Sequence, residues 1–330
     1  DMRDARIIGT GIYVPDKIIT NADLSLNLGV DIDEFVTKIV GIRERHIAAD
    51  EESTADLATK AAEAALRDAG ILAADIDLIL LATDTPEYIS PATSVVVQER
   101  IGAVNAGTFD INCACAGFVT TLDTAFKYII ADPTYRNILV IGCYAMSKFI
   151  DWKDKKTSTL FADGAGAFLL KAVEGEQHFL ASKLIADGSY HNFMGIFAGG
   201  AKEPITAGVL AENNFNKLRF AKKYPPEVNI IGWPKIVDEV LAKADLTRDE
   251  VDVYLWTQVN LSTIKLVMDE MQIPWEKTHT VMDKWGYTGS ACIPMVFNDA
   301  LAAGKIKRGD AIVLCASGGG LNMACLAMRY

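Results

Sequence analysis

The feature that most constrains the fold of this chain is a repeated unit, a helix followed by a short apolar strand. Residues 53–70 begin with a Ser/Thr cap, continue with strong helix formers and end at a glycine, a pattern that predicts a helix. Residues 75–83 then form a continuous apolar run, typical of a strand covered on both faces in a largely parallel sheet. A similar helix and strand return within residues 236–257. The pattern therefore predicts an α/β protein.

A second correspondence favours two related halves in tandem. Residues 107–130 predict a strand, a sharp turn and a long helix, and residues 278–303 fit the same order. The strands and glycines within residues 138–173 have their counterpart in residues 311–330. An internal repeat is the simplest interpretation of these correspondences.

We expect the chain to divide into residues 1–173 and residues 174–330. The stretch over about residues 174–224 is less regular and is interpreted as an insertion at the start of the second half. Its polar turns favour a surface loop over the wall of a pocket.

Composition excludes several classes of protein. The 330 residues are 50% hydrophobic and 23% charged, ordinary proportions for a globular chain with a sizeable core. The net charge of −11 is opposite in sign to that of a nucleic-acid binder. The longest apolar stretches, such as residues 76–83, are well short of the ~20 residues that a membrane span needs. The six cysteines mostly occupy strand-like runs, with no secretory leader before them, so we expect reduced thiols in the cytoplasm.

Cys115 is the sharpest candidate for chemistry. It lies between an apolar strand, residues 109–111, and a helix that begins near Ala116. The positive end of a helix and its free N–H groups lower the pKa of a thiol, so we expect a thiolate able to attack a thioester. The alternative is a small buried hydrophobic residue, and the local pattern leaves both interpretations open. A disulfide or metal pair with Cys113 is sterically poor and lacks other ligands.

Six stretches distributed over the whole chain form a specific pattern. They are GTGIYVPDKIITNADL, TKIVGIRERHIA, TDTPEYISPATSVVVQERIGA, DINCACAGF, DKKTSTLFADGAGAFLL and GGGLNMACLAMRY. Together they resemble the thiolase superfamily, and within it the β-ketoacyl-[acyl-carrier-protein] synthase III-like condensing enzymes. The resemblance implies a five-layered αβαβα fold assembled as a homodimer or as a heterodimer with a related subunit. It also implies that Cys115 is the nucleophile, with an oxyanion hole formed by the backbone N–H groups of Cys115 and Gly319.

Two positions depart from the pattern of that family. Residues 257–260 are Thr-Gln-Val-Asn where the family has His-Gln-Ala-Asn, and residues 286–289 are Gly-Tyr-Thr-Gly where it has Gly-Asn-Thr-Ser. The family's His and Asn donate hydrogen bonds to the enolate formed when a malonyl thioester loses carbon dioxide. Loss of one positioned donor typically costs ~10²- to 10³-fold in rate. Thr257 and Tyr287 can still donate hydrogen bonds, but they argue against ordinary decarboxylative condensation.

The chain contains four histidines. His46, His178 and His279 are interpreted as surface or structural residues. His191 lies in the irregular stretch and could swing toward the pocket as a replacement base.

The resemblance also implies substrate contacts. Phe35 and Lys155 correspond to the aromatic residue and the arginine around the adenine of CoA, and Asn260 corresponds to the asparagine that faces the pantetheine arm. Ser262 replaces a basic residue offered to an acidic carrier protein, which weakens the case for a carrier protein. Ser90 stands where a bulky phenylalanine projects across the dimer, so a longer or wider acyl group fits.

These observations predict an acyltransferase that moves an acyl group from a CoA or carrier-protein thioester through Cys115 to a second nucleophile. One alternative is a degenerate subunit that shapes the pocket of an active partner. Another is a synthase III with substituted helper residues. No metal or redox cofactor is indicated, and the thioester of CoA or phosphopantetheine is expected as the substrate.

Overall fold

The computed structural model describes residues 2–212 and 216–330. Within them the strands are β1 (Arg3–Tyr13), β2 (Lys17–Thr20), β3 (Glu44–Ile47), β4 (Leu78–Ala82), β5 (Gly107–Ile111), β6 (Asn137–Ala145), β7 (Asp163–Glu174), β8 (Phe179–Ala186), β9 (Met194–Gly195), β10 (Arg219–Phe220), β11 (Val253–Trp256), β12 (Ala311–Gly318) and β13 (Asn322–Arg329). The helices are α1 (Asn21–Leu28), α2 (Asp33–Phe35), α3 (Thr54–Ala69), α4 (Thr93–Ile101), α5 (Gly117–Ala131), α6 (Lys155–Ser158), α7 (Ala207–Ala211), α8 (Glu227–Ala244), α9 (Leu261–Glu270), α10 (Met282–Trp285) and α11 (Cys292–Ala302). None of these helices combines the length and apolar character needed to cross a bilayer.

The first sheet has the strand order β1-β7-β6-β4-β5. Strand β4 lies parallel to both β5 and β6, while β7 pairs antiparallel with β6 and β1. The sheet is therefore mixed, and the prediction of a largely parallel sheet holds only around β4. Every residue of β4 is buried, as its continuous apolar run predicts.

The second sheet repeats this plan with the order β11-β12-β13-β8. Strands β11 and β12 are parallel, and β13 pairs antiparallel with β12 and with β8. Strand β8 lies inside the stretch that the sequence assigns to an insertion, so that interpretation is wrong for residues 179–186. They form an edge strand of the core sheet, because β13 supplies their backbone with hydrogen-bond partners.

Helices and sheets alternate in five layers. Helices α3 and α4 cover the outer face of the first sheet, and α8 and α9 cover the outer face of the second. The apolar helices α5 and α11 lie between the two sheets and pack against both. The central helices are buried almost all round because they have a sheet on each side.

Local signals account for many element boundaries. Ser53 caps α3 by a reciprocal pair of hydrogen bonds with Asp56, and Gly70 ends the helix with a φ of +67°.

The prediction of a strand at the start of residues 278–303, made by comparison with residues 107–130, is wrong. Thr278 makes only a single bridge to Tyr254, and the chain then enters the short helix α10.

Candidate active site

Cys115 lies in the sharp turn that joins β5 to α5. One turn of 3₁₀ helix, Ala114–Ala116, precedes α5, and Ala114 has a φ of +47°, a left-handed conformation uncommon for a residue with a side chain. Cys115 itself is only 3% exposed. It thus occupies the strand-to-helix position that the sequence predicts.

A close backbone approach brings the second half of the chain to Cys115. A Cβ atom on Gly318 would lie 2.4 Å from the Cys115 backbone nitrogen and 3.0 Å from that of Ala116. Only glycine fits here, because any side chain would collide with backbone. The next residue, Gly319, lines the same cavity as Cys115. The structure therefore brings together the two residues that were expected to form an oxyanion hole.

Tyr287 reaches Cys115 from the second half. The Tyr287 N–H donates to the Leu160 carbonyl at 2.9 Å, and the Tyr287 carbonyl accepts from the Ala162 N–H at 2.9 Å. The residue is buried, and its hydroxyl hydrogen-bonds with the Cys115 thiol. Burial and the neighbouring Cys115 raise the pKa of Tyr287 well above its ordinary value, so the hydroxyl stays protonated and can act as a donor.

Thr257 is not brought to this group. It directly follows β11 and is 1% exposed. Its Oγ1 atom accepts a hydrogen bond from the Ser317 N–H at 3.0 Å, and its own N–H donates to the Cys315 carbonyl at 3.2 Å. The hydroxyl oxygen thus joins the end of β11 to β12.

Cys115, Tyr287 and Gly319 line a cavity of about 230 Å³, named here the inner cavity. Its wall is mainly apolar and comes from both halves of the chain. Two polar residues in the wall are paired with each other, since the Ser317 hydroxyl donates to Asn229 Oδ1 at 2.7 Å.

Part of the inner wall comes from the stretch that was expected to be a surface loop. Met194, Phe220 and Tyr224 all line the inner cavity. The preference for a surface loop is therefore wrong at these residues. The sequence signal that could have found them is the apolar and aromatic character of these side chains within an otherwise polar stretch.

A second, larger cavity of about 780 Å³, named here the outer cavity, brings together Phe35, Lys155 and Asn260. Phe220 and Tyr224 belong to the walls of both cavities, so the two spaces meet at this pair. Phe35 is 62% exposed, and the Asn260 Oδ1 atom accepts from the Thr263 N–H at 3.2 Å to cap α9. Three of the four residues that the resemblance assigns to substrate binding thus share one cavity, and the fourth, Ser90, does not line it.

Charge distinguishes the outer cavity. Four exposed lysines line it, against a single carboxylate, that of Asp31; these lysines are Lys155, Lys156, Lys222 and Lys223. Such a wall favours an anionic group at the mouth of the site.

Two residues singled out from the sequence lie away from the inner cavity. Ser90 is exposed in the loop between β4 and α4. His191 is exposed and lines a separate cavity of about 260 Å³ together with Glu203 and Arg219. Within a single chain, neither residue contacts the inner cavity.

The other histidines make structural contacts. The Nε2 atom of His279 lies 2.7 Å from Asp299 Oδ2, and that of His178 lies 2.8 Å from Glu176 Oε2. The Nδ1 atom of His46 faces the Pro15 carbonyl. No imidazole lines the inner cavity in the described part of the chain.

The sequence predicts a lowered pKa for Cys115, and that prediction is wrong in direction. Burial, and after it the negative charge of Asp84, raise the pKa of the thiol well above its ordinary value, while the hydrogen bond from Tyr287 opposes the shift. The reason is that a thiolate in this enclosed position loses solvation, and the hydrogen bonds from Tyr287 and from the Cys115 backbone do not offset that loss. Formation of the thiolate therefore needs a proton acceptor.

Asp84 is a functional candidate that sequence reasoning missed. Its Oδ1 atom is enclosed and has no hydrogen-bond partner among the described residues. The available signal was its place two residues after a buried strand, where active-site groups of α/β proteins are common. Residues 2–212 and 216–330 hold no group of three or more His, Cys, Asp or Glu side chains arranged for a metal ion.

Comparison with known proteins agrees with this architecture. Family models for 3-oxoacyl-[acyl-carrier-protein] synthase III match residues 109–188, and for its C-terminal region residues 241–330. A β-ketoacyl-[acyl-carrier-protein] synthase III of Geobacillus kaustophilus is 39% identical over 326 residues, covering 99% of each chain. The crystal structure of 3-oxoacyl-[acyl-carrier-protein] synthase III from Aquifex aeolicus superposes with a TM-score of 0.88 at 35% identity, covering 99% of this chain and 100% of that one. The priming β-ketosynthase of the R1128 polyketide pathway superposes with a TM-score of 0.90 at 25% identity, covering 100% of this chain and 97% of that one.

The five layers are thus those of the thiolase-like condensing enzymes. The chain belongs to the 3-oxoacyl-[acyl-carrier-protein] synthase III family, a family of transferases.

Proposed function

We propose that this protein is an acyltransferase that takes an acyl group from a thioester onto Cys115 and passes it to a second nucleophile, without ordinary malonyl decarboxylation. The observation that carries the proposal is the placement of Cys115 at the inner cavity, which meets the outer cavity at Phe220 and Tyr224. A thioester bound with its polar end outside and its acyl carbonyl inside would reach the thiol by this route.

The outer cavity fits the polar end of such a donor. Lys155 and its neighbouring lysines supply positive charge for phosphates, and Phe35 offers an exposed ring to an adenine. Lysine keeps the charge of an arginine but not its planar stacking surface. Asn260 lines the same outer cavity, along which the pantetheine arm would pass. We therefore favour acyl-CoA as the donor, with an acyl carrier protein as the alternative that the names of the relatives suggest.

The acyl carbonyl would be polarised at the contact of the two halves. The Gly318 backbone lies against the N–H of Cys115, and Gly319 continues into the inner cavity. Backbone N–H groups of Cys115 and Gly319 would stabilise the oxyanion of the tetrahedral intermediate.

The side chains around Cys115 suit acyl transfer better than enolate formation. The Tyr287 hydroxyl donates a hydrogen bond to the Cys115 sulfur, and Thr257 Oγ1 accepts a hydrogen bond from the Ser317 N–H. Neither side chain is an imidazole or an amide aimed at a malonyl-derived enolate. The second nucleophile can be a carbon, an alcohol or a thiol.

We further propose that the chain works as a dimer. Beside Ser90 the loop exposes Tyr88 and Ile89, and Ile89 is 82% exposed. Contiguous exposed apolar side chains favour association with another protein surface. In a homodimer, or in a heterodimer with a related chain, this loop would carry Ser90 toward the acyl site of the other subunit.

A second candidate function is that of a partner subunit without its own turnover. The raised pKa of Cys115 favours it, because a neutral thiol is a poor nucleophile. In that case the inner cavity would serve only to shape the site of an active subunit.

The experiment that separates the two functions is intact-protein mass spectrometry after incubation with a panel of acyl-CoAs. We expect one acyl adduct on the wild type, none on Cys115→Ala, and an undiminished adduct on the matched variant Cys113→Ala. An adduct that persists in Cys115→Ala contradicts the assignment of the nucleophile. A wild type that forms no adduct with any acyl-CoA or acyl carrier protein favours the partner subunit.

A further inference from the structure

Asp84 and Cys115 leave the first sheet side by side. Asp84 comes two residues after β4 ends, and Cys115 follows the adjacent parallel strand β5. The Thr83 N–H donates to the Ile111 carbonyl at 3.2 Å, which extends the pairing of these strands beyond the sheet. The two loops therefore begin together at the end of the sheet where α/β proteins place their reactive groups.

The residues that flank Asp84 are held firmly. The Thr85 N–H donates to Thr83 Oγ1 at 3.0 Å, and Thr85 Oγ1 accepts from the Ala145 N–H at 2.9 Å. Thr54 donates its hydroxyl to the Thr85 carbonyl at 2.5 Å. The backbone on both sides of Asp84 is thus tied to β6 and α3, which fixes where its carboxyl group stands.

That carboxyl group has no structural task in the described residues. Oδ1 is enclosed without a hydrogen-bond partner, whereas buried polar atoms are almost always paired. Burial raises the pKa of Asp84 to about 6, with only its own backbone N–H acting against the shift. The group is therefore ionised at neutral pH and can take up a proton slightly below it.

Neutral acids surround the carboxylate. Its charge acts on Cys115 from the β5 loop and on Cys143 and Tyr144 from β6, raising the pKa of each of these groups. Of the further groups that face this cluster, Tyr287 and Cys292 are also neutral acids. The remaining charged ones, Glu87, Asp110 and Asp163, are carboxyls, and among the described residues no lysine, arginine or histidine shifts the pKa of Asp84. Asp84 thus has no cationic partner and faces a thiol that must lose a proton.

We propose that Asp84 accepts the proton of the Cys115 thiol when Cys115 is acylated. This inference rests on the proposed function. The proton moves from Cys115 Sγ to the Asp84 carboxylate as the sulfur attacks the acyl carbonyl. When the carbon–sulfur bond to the donor breaks, the same proton passes to the departing thiolate. The products are the acylated Cys115 and a free donor thiol, and the carboxylate is regenerated.

The alternative role for Asp84 is purely electrostatic. A fixed negative charge beside Cys115 disfavours the thiolate, so its removal would make the thiol more reactive toward every electrophile. The two roles therefore predict opposite changes in acylation when the charge is removed.

The test compares Asp84→Asn with the wild type by the rate of Cys115 acylation from pH 5 to pH 9. For a positioned proton acceptor we expect a loss of ~10²-fold or more at neutral pH. The wild-type rate should rise with pH through about 6 as Asp84 deprotonates, and this inflection should be absent from Asp84→Asn. The matched control is Asp77→Asn on the amino side of β4, where the carboxylate accepts from the Arg136 and Asn137 N–H groups and does not approach Cys115.

A second measurement keeps the proposal falsifiable. Alkylation of Cys115 by iodoacetamide, mapped by peptide mass, should still go to completion in Asp84→Asn, which shows that the site is folded and the thiol accessible. The variant should fold as well as the wild type, since removal of an unpartnered buried charge is not expected to destabilise the protein. Slower acylation of a folded variant whose Cys115 is still alkylated supports the proposal, and equal or faster acylation overturns it. If the wild type forms no acyl adduct, the proposed function fails and the role of Asp84 fails with it. If the wild type forms the adduct normally and Asp84→Asn is acylated at the same rate, only the role of Asp84 is rejected.

Discussion

The inner and outer cavities meet at Phe220 and Tyr224 but differ in volume and in the charge and exposure of the residues that line them. The inner cavity of about 230 Å³ is mainly apolar, encloses Cys115 and draws its wall from both halves of the chain. The outer cavity of about 780 Å³ is lined by four lysines and by the exposed ring of Phe35. The reacting group is therefore kept from water, while the charged groups that would hold a substrate stay in contact with it.

This difference separates chemistry from binding. Changes in the inner cavity should alter the rate of acyl transfer, because electrostatic and hydrogen-bond effects are strongest where water is excluded. Changes in the outer cavity should alter mainly the apparent affinity for the donor, because exposed charges are screened. The following experiments test this separation.

The largest expected effect concerns malonyl decarboxylation at the inner cavity. Thr257 and Tyr287 stand where the family has His and Asn, and under the proposed function both enolate donors are absent. Each missing donor is expected to cost ~10²- to 10³-fold. Release of labelled carbon dioxide from malonyl-CoA or malonyl carrier protein should be far below ~1 s⁻¹, the lower end of ordinary enzyme turnover. The double variant Thr257→His, Tyr287→Asn serves as the comparison and should release more. Wild-type turnover in the ordinary range would contradict the prediction.

The next effect concerns Tyr287 alone. Tyr287→Phe keeps the buried ring but removes the hydroxyl that hydrogen-bonds with Cys115. A hydrogen bond to a charged group contributes about 1.5–3 kcal/mol, so acylation should slow by roughly 10- to 100-fold. The matched control is Tyr254→Phe, which loses a hydrogen bond to the Arg248 carbonyl far from Cys115. Equal acylation rates in wild type and Tyr287→Phe would show that the hydroxyl does not assist the sulfur.

A smaller effect is expected at Ser90, which within one chain lies outside both cavities. If a second subunit brings this residue to the inner cavity, each additional buried methylene of the acyl chain favours binding by up to ~0.8 kcal/mol. Acyl-CoAs longer than acetyl-CoA should then acylate the wild type faster, and Ser90→Phe should reverse that order. Ser90→Ala is the control and should keep the wild-type profile. An unchanged profile in Ser90→Phe would instead make the inner wall around Met194 responsible for the depth of the pocket.

The smallest effect concerns Lys155 at the outer cavity. Lys155→Ala should raise the apparent KM for acyl-CoA about 2- to 5-fold and leave kcat unchanged, since an exposed ion pair contributes ~0.5–1 kcal/mol. The difference should shrink as salt is added. Lys153→Ala is the control, because Lys153 Nζ is held by Asn27 Oδ1 at 2.9 Å and does not line the cavity. A fall in kcat with unchanged KM would contradict the separation of binding from chemistry.

The sequence predicted most of what is local. The cap at Ser53, the glycine at position 70 and the turn at Cys115 are confirmed where their patterns place them. The five-layered thiolase-like fold, which the resemblance to a family implied and with which the repeat of helix and buried strand agrees, is confirmed as well. The grouping of Phe35 with Lys155 could be foreseen only through the resemblance to a family, since no local pattern joins residues 120 positions apart.

The roles assigned to individual site residues stay predictions. The structure places Gly319 and Tyr287 at Cys115 and leaves Thr257 between two strands. The Thr257 hydroxyl oxygen accepts a hydrogen bond from the Ser317 backbone N–H. The variant Tyr287→Phe tests whether Tyr287 acts in turnover.

The amino-acid sequence by itself thus determined the elements, their repeat and the turn that presents Cys115, because caps, apolar periodicity and tight turns act over a few residues. Only the tertiary structure decided the surroundings of that thiol. Desolvation depends on how much protein encloses a group, and the approach of Asp84 depends on the pairing of β4 with β5. The raised pKa of Cys115, opposite to the local expectation, follows from those two long-range facts.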